Sequence, residues 1–138
     1  DLLFGSFNKR FSNQRTDFDW LSRDQKEVDA YIQDPLCGFP FTAAAYLDLI
    51  SLQYYSNTKL WYKTLPQNLP MLLISGSMDP VGGYGKGISA IAKNLHNVGI
   101  QDLTVWLYPE ARHELLNELN RDEVMQDVLS WLALHSAE

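Results

Sequence analysis

Apolar and polar positions follow two different patterns along the chain, and the change falls between Pro66 and Pro70. Before it, apolar residues recur at helical spacing and no convincing strand is present. Val28, Tyr31 and Ile32 fall at i, i+3 and i+4, which predicts a helix over residues 25–32. Ser22 is its expected cap and Asp34-Pro35 its end. Asp17 to Leu21 reads as a turn or short helix. The apolar segment Leu36-Cys37-Gly38-Phe39-Pro40-Phe41 is denied regular structure by its glycine and its flanking and internal prolines. Thr42 is placed to cap a longer helix with apolar positions Ala45, Tyr46, Leu49, Ile50 and Leu52.

After Pro70 the pattern becomes strand, helix, strand, helix. Met71 to Gly76 is a short, continuous apolar run, as expected of a strand buried on both faces of a parallel sheet. A glycine-rich loop leads into a helix over Lys86 to Asn97, closed by Gly99. The β-branched and aromatic run Leu103 to Tyr108 predicts a second strand. The last helix is expected from Arg121 to His135, with Asn120 or Asp122 as cap and Val124, Val128, Leu129 and Leu132 facing inward. Strand–helix–strand is a βαβ unit, so the fold class is α/β. Two parallel strands that are apolar on both faces need neighbours and covering helices. This part therefore reads as the end of a larger parallel sheet.

Composition narrows the partners. With 46% hydrophobic and 20% charged residues the chain is an ordinary globular one. No apolar run approaches the ~18 residues needed to span a bilayer, so no stable membrane insertion is expected. The net charge of -6 repels phosphate backbones and no basic stripe overrules it, so nucleic acid is not an expected partner. A single cysteine, Cys37, forms no internal disulfide, and there is no Asn-x-Ser/Thr acceptor. A cytoplasmic setting is the expectation. The opening Asp1-Leu2-Leu3-Phe4 has neither an initiator Met nor a signal-peptide pattern and reads as a chain entered in mid-protein.

Candidate chemistry lies at the ends of the two strands. Asp79 follows the first, in Ile74-Ser75-Gly76-Ser77-Met78-Asp79-Pro80-Val81, and His113 follows the second, in Tyr108-Pro109-Glu110-Ala111-Arg112-His113-Glu114. Ligands of open α/β sheets bind at the carboxyl ends of the strands. Taken singly, an Asp-Pro is a common turn starter and a histidine near a helix start is ordinary polar surface. Loops after adjacent parallel strands can bring the two side chains together, and the chemistry that wants such a pair is the acid and base of a catalytic triad, in the chain order acid before histidine. Other motifs are weaker. Gly82-Gly83-Tyr84-Gly85-Lys86-Gly87 fails the phosphate-loop pattern because no Ser or Thr follows Lys86. His96 and His135 lie in predicted helices without ligand partners at metal spacing, and Cys37 reads as a packed residue.

The two loops resemble the acid-bearing strand and the terminal histidine loop of α/β-hydrolases. The branch they most resemble is the lysophospholipase and monoacylglycerol lipase-like group, which shares a family with serine aminopeptidases. Phe18-Asp19-Trp20-Leu21-Ser22-Arg23 and Asp34-Pro35-Leu36-Cys37-Gly38-Phe39-Pro40-Phe41 look like the cap region of the same group. The resemblance implies a helical cap or lid over residues 1–66 and the C-terminal part of the hydrolase core over residues 67–138. It implies a serine hydrolase of carboxylic esters, with no metal or organic cofactor. The family's Gly-x-Ser-x-Gly nucleophile is absent; Gly87-Ile88-Ser89-Ala90-Ile91 lacks the second glycine and falls inside a helix. This chain is therefore expected to be inactive alone. It is expected to need a missing N-terminal half or a second copy against its open strands. Trp20, Phe39, Phe41 and Tyr46 are candidates to line an acyl-chain pocket for a small ester or lipid-like substrate, against simple packing of cap on body. The alternative function is a non-catalytic domain that binds a partner or an apolar ligand. The contact between Asp79 and His113 discriminates the two.

Overall fold

The computed structural model describes residues 6–136. The opening segment Asp1 to Phe4 lies outside the described residues. The elements run α1 (Gln25–Gln33), α2 (Ala43–Ser56), α3 (Lys59–Tyr62), β1 (Met71–Gly76), α4 (Lys86–Asn97), β2 (Leu103–Tyr108) and α5 (Arg121–His135). Two 3-10 turns, Phe7–Arg10 and Leu115–Asn117, and the short α3 were not foreseen.

The strands pair in parallel from Met71↔Leu103 to Gly76↔Tyr108, so both end level with each other. Side chains alternate across this ribbon. On one face Ile74 and Trp106 pack on Tyr108, Ala111, Leu115 and Val124, the last from α5. On the other, Met71, Leu73 and Leu103 pack on Tyr62, Leu95 and Ile100. Leu95 comes from α4 and Tyr62 from α3, so the region before Pro66 contributes to the core beneath the sheet. Gln67 braces this side, its amide donating to Val98 O at 3.1 Å.

Several local expectations need correction. Asp24, not Ser22, caps α1, accepting from Lys26 N at 3.0 Å. Ser22 is drawn elsewhere: its hydroxyl donates to Asn117 O at 2.7 Å and accepts from Asp24 N at 2.9 Å. On α5, Val124 is fully buried but Leu129 and Leu132 are exposed, because the described residues supply no layer to cover them. Asn120 holds the cap position of α5 without a cap bond; its amide instead donates to Glu123 Oε2 at 2.9 Å. Thr42 does cap α2, accepting from Ala45 N at 3.2 Å. No residue of α2 is buried, and Leu47, Leu49, Ile50 and Leu52 all face outward. Ile32 of α1 is likewise exposed while Val28 is buried. Val105 and Leu107 of β2 are exposed, so the face they share with Leu103 is covered only in part, where the continuous apolar runs suggested full burial.

Candidate active site

The two strands deliver their following loops to one edge. After Gly76 the chain turns, with Asp79 N donating to Gly76 O at 3.2 Å and Tyr84 N to Asp79 O at 2.8 Å. The Asp79 carboxylate closes this turn on itself, Oδ1 accepting from Val81 N at 2.9 Å. An aspartate that bonds the amide two residues on is a self-made turn, which is why Asp-Pro suits the position. The histidine loop is stitched onto the acid loop by three further bonds. Ser77 N donates to Tyr108 O at 2.9 Å, Met78 N to Ala111 O at 2.9 Å, and Glu110 N to Ser77 Oγ at 2.8 Å.

This places His113 Nδ1 3.1 Å from Asp79 Oδ1. Asp79 is buried and His113 is part exposed. The Trp20 ring lies against the imidazole, with centroids 5.2 Å apart. The hydrogen bond to Asp79 raises the His113 pKa above its ordinary 6.5, opposed by burial and aided by the charges of Asp79 and Glu114. A group whose folded pKa is raised adds stability below its unfolded value and loses it as pH rises through the folded one. An NMR titration of the His113 ring is accordingly expected to show a midpoint above 6.5, which falls in Asp79→Ala. A midpoint at or below 6.5 in the unaltered chain would contradict this geometry.

Beside the pair opens a cavity of about 620 Å³. Its walls include His113 and all four aromatic candidates, Trp20, Phe39, Phe41 and Tyr46. The rings form a chain, with Phe39 to Phe41 at 6.0 Å and Phe41 to Tyr46 at 5.5 Å. Phe39 is 57% and Phe41 43% exposed, so they face open space rather than a packed interface. A polar wall is supplied by Asn8, Lys9, Gln14 and Asp17. Nothing in the sequence pattern had marked that wall, since short polar runs near a 3-10 turn look like any surface.

The remaining motifs do not converge on the cavity. Ser89 sits within α4 and its hydroxyl donates to Gly85 O at 2.8 Å. Gly83 and Gly85 take positive φ of 61° and 84°, so the glycines serve a tight turn before α4. His96 is exposed, and His135 stacks on Trp131 and faces Asp102. Among the described residues no group of His, Cys, Asp and Glu could hold a metal ion.

Parallel strands joined through a helix, with an acid after the first and a histidine after the second, match the last part of an α/β-hydrolase fold. The chain belongs to the serine aminopeptidase, S33 family (Hydrolase_4), which matches residues 2–120. A monoacylglycerol lipase of Mycolicibacterium smegmatis is 28% identical over 126 residues, spanning 88% of this chain and 41% of the relative. This chain thus spans about two fifths of the length of that curated relative. Among solved structures, a highly thermostable carboxyl esterase from Bacillus coagulans, in complex with glycerol, aligns with a TM-score of 0.86 at 28% identity, over 95% of this chain and 43% of that one. A monoacylglycerol lipase of Paleococcus ferrophilus aligns at 0.73 and 20% identity, over 96% and 51% of the two chains, and supports the fold alone. Among the described residues no helix is long and apolar enough to cross a membrane.

Proposed function

We propose that this chain is the acid-and-histidine part of a serine hydrolase that cleaves carboxylic esters, with its nucleophilic serine in a preceding part of a longer protein. The observation that carries the proposal is the 3.1 Å contact between Asp79 and His113 at the ends of adjacent parallel strands. With Nδ1 turned to Asp79, Nε2 is the nitrogen left for a nucleophile. His113 accepts the serine proton and later returns it to the leaving alcohol. Asp79 fixes the tautomer and stabilises the imidazolium. The base must be neutral in the free enzyme, so the acid limb of kcat/KM lies above 6.5, where the raised His113 pKa puts it.

Residues 1–66 act in this reading as a cap, although Tyr62 near its end packs into the core, and residues 67–138 as the C-terminal part of the core. The aromatic wall of Trp20, Phe39, Phe41 and Tyr46 takes an acyl chain, as in acylglycerols or lysophospholipids, and the polar wall faces the head group. The single thiol and the lack of a glycosylation acceptor support a cytoplasmic setting. The meeting of Asp79 and His113 favours this reading over a non-catalytic binding domain.

A fluorophosphonate applied to the full-length protein is expected to modify one serine N-terminal to Asp1, found by mapping the labelled peptide. A folded full-length protein that takes no label would refute the triad and leave the cavity as a binding site only.

A further inference from the structure

Glu118 is wholly buried, yet the mechanism above does not use it. Its carboxylate is filled by four donors. Oε1 accepts from Arg112 N at 2.8 Å and Arg23 N at 3.2 Å. Oε2 accepts from the Arg23 side chain, Nε, at 2.8 Å and from Leu119 N at 3.0 Å. Arg112 immediately precedes His113, and Arg23 ends the segment that lies along the histidine loop. The two stretches are laced together by Glu114 N to Leu21 O at 2.8 Å, His113 N to Trp20 O at 3.4 Å and Ser22 Oγ to Asn117 O at 2.7 Å. The Arg112 guanidinium crosses the same seam, donating to Ser22 O at 3.0 Å and to Asp19 O, and it rests on the Phe11 ring.

We propose that Glu118 is a positioning residue for His113, a buried carboxylate that ties the amide before the histidine to the Trp20–Arg23 segment and so holds the imidazole against Asp79. The inference builds on the reading of His113 as catalytic base. A buried polar group left unpaired is costly, so the loop follows its hydrogen bonds rather than abandoning them. A carboxylate is needed because all four partners are donors. Glutamine offers one acceptor oxygen and turns an NH2 either on Arg23 Nε and Leu119 N or on the amides of Arg112 and Arg23. Either choice forces donors apart next to His113. The ring itself is faced by the carboxylates of Asp79 and Glu114 and by the Trp20 indole.

The test compares Glu118→Gln with the unaltered full-length protein on a soluble p-nitrophenyl ester across pH. A misplacement of about 1 Å costs roughly 10²-fold, so kcat is expected to fall by about 10- to 10²-fold with KM nearly unchanged. The acid limb should move down toward 6.5 as His113 loses Asp79. A folded variant with the original kcat and acid limb would overturn the proposal. So would a loss of activity that tracks the unfolded fraction while the limb stays in place. Should Glu118→Gln not fold, Arg23→Gln keeps the carboxylate, removes its charged partner and is judged by the same two readings. Should the unaltered protein hydrolyse no ester and take no fluorophosphonate, the hydrolase reading fails by itself. Glu118 is then judged by NMR: a lowered His113 titration midpoint in the variant upholds the clamp, and an unmoved one removes it.

Discussion

Replacing His113 by alanine in the full-length protein is expected to lower kcat on a carboxylic ester by about 10⁶-fold, the cost of removing a triad base. His113 hangs from a loop whose backbone is fixed by Trp20 and Leu21 on one side and by the acid loop on the other. Among the described residues no other imidazole lines the cavity, His96 and His135 lying on α4 and α5. None of these residues can therefore take over the proton. Asp79→Ala should cost less, about 10⁴-fold, because the histidine remains able to accept a proton from a poorer orientation. Groups that act as a unit are not additive. The double variant should thus be no worse than His113→Ala alone. Steady-state kinetics with a p-nitrophenyl ester, with near-UV circular dichroism to show folding, decides it. A loss under about 10²-fold for His113→Ala, or fully additive losses, would show that the pair does not work as base and orienting acid.

Much of this site was open to sequence reasoning, for physical reasons that differ by element. β1, α4, β2 and α5 occur over the expected residues because a buried βαβ unit writes a strong pattern: continuous apolar strands, an amphipathic helix and a glycine stop. Asp79 and His113 followed from their places after strand ends. The α1 cap did not follow, since Ser22 and Asp24 both carry suitable oxygens. The choice depends on Asn117 O, far along the chain, drawing the Ser22 hydroxyl away. Glu118 was equally hidden. In Leu116-Asn117-Glu118-Leu119-Asn120 it looks like a surface carboxylate, and only the approach of Arg23 makes it an interior one. Helical spacing in α2 identified a helix but not a buried face, because periodicity reports which residues share a side and not whether anything packs there. The cavity's aromatic wall could be named, whereas its polar wall depends on how residues 8–17 fold back beside Trp20.

Gly76→Ala is expected to have the next largest effect, lowering kcat by up to about 10⁴-fold, the cost of disabling the triad acid. Gly76 is the last residue of β1 and does not need a positive φ. Its role is space. A Cβ there would overlap the carbonyl oxygens of Ala111 and Arg112, which pass directly over the strand end. Backbone cannot swing aside as a flexible side chain can, so one of the two loops must retreat. The histidine loop is held from behind by Glu118 on Arg112 N at 2.8 Å and by Leu21 O on Glu114 N at 2.8 Å. The retreat must then break the Met78 N to Ala111 O bond of 2.9 Å, which joins the acid loop to the histidine loop. Asp79 and His113 separate as a result. Overpacking of this kind also costs about 1–3 kcal/mol of stability, so a thermal melt should accompany the kinetics. Gly83→Asn is the matching control. A Cβ at Gly83 has only Lys86 Cβ nearby, at 3.8 Å, and asparagine tolerates the left-handed φ of 61°. That variant should keep the original activity. Full activity in Gly76→Ala would mean that the two loops can part without disturbing the pair, and the close approach at the strand end would no longer explain how Asp79 and His113 are held together.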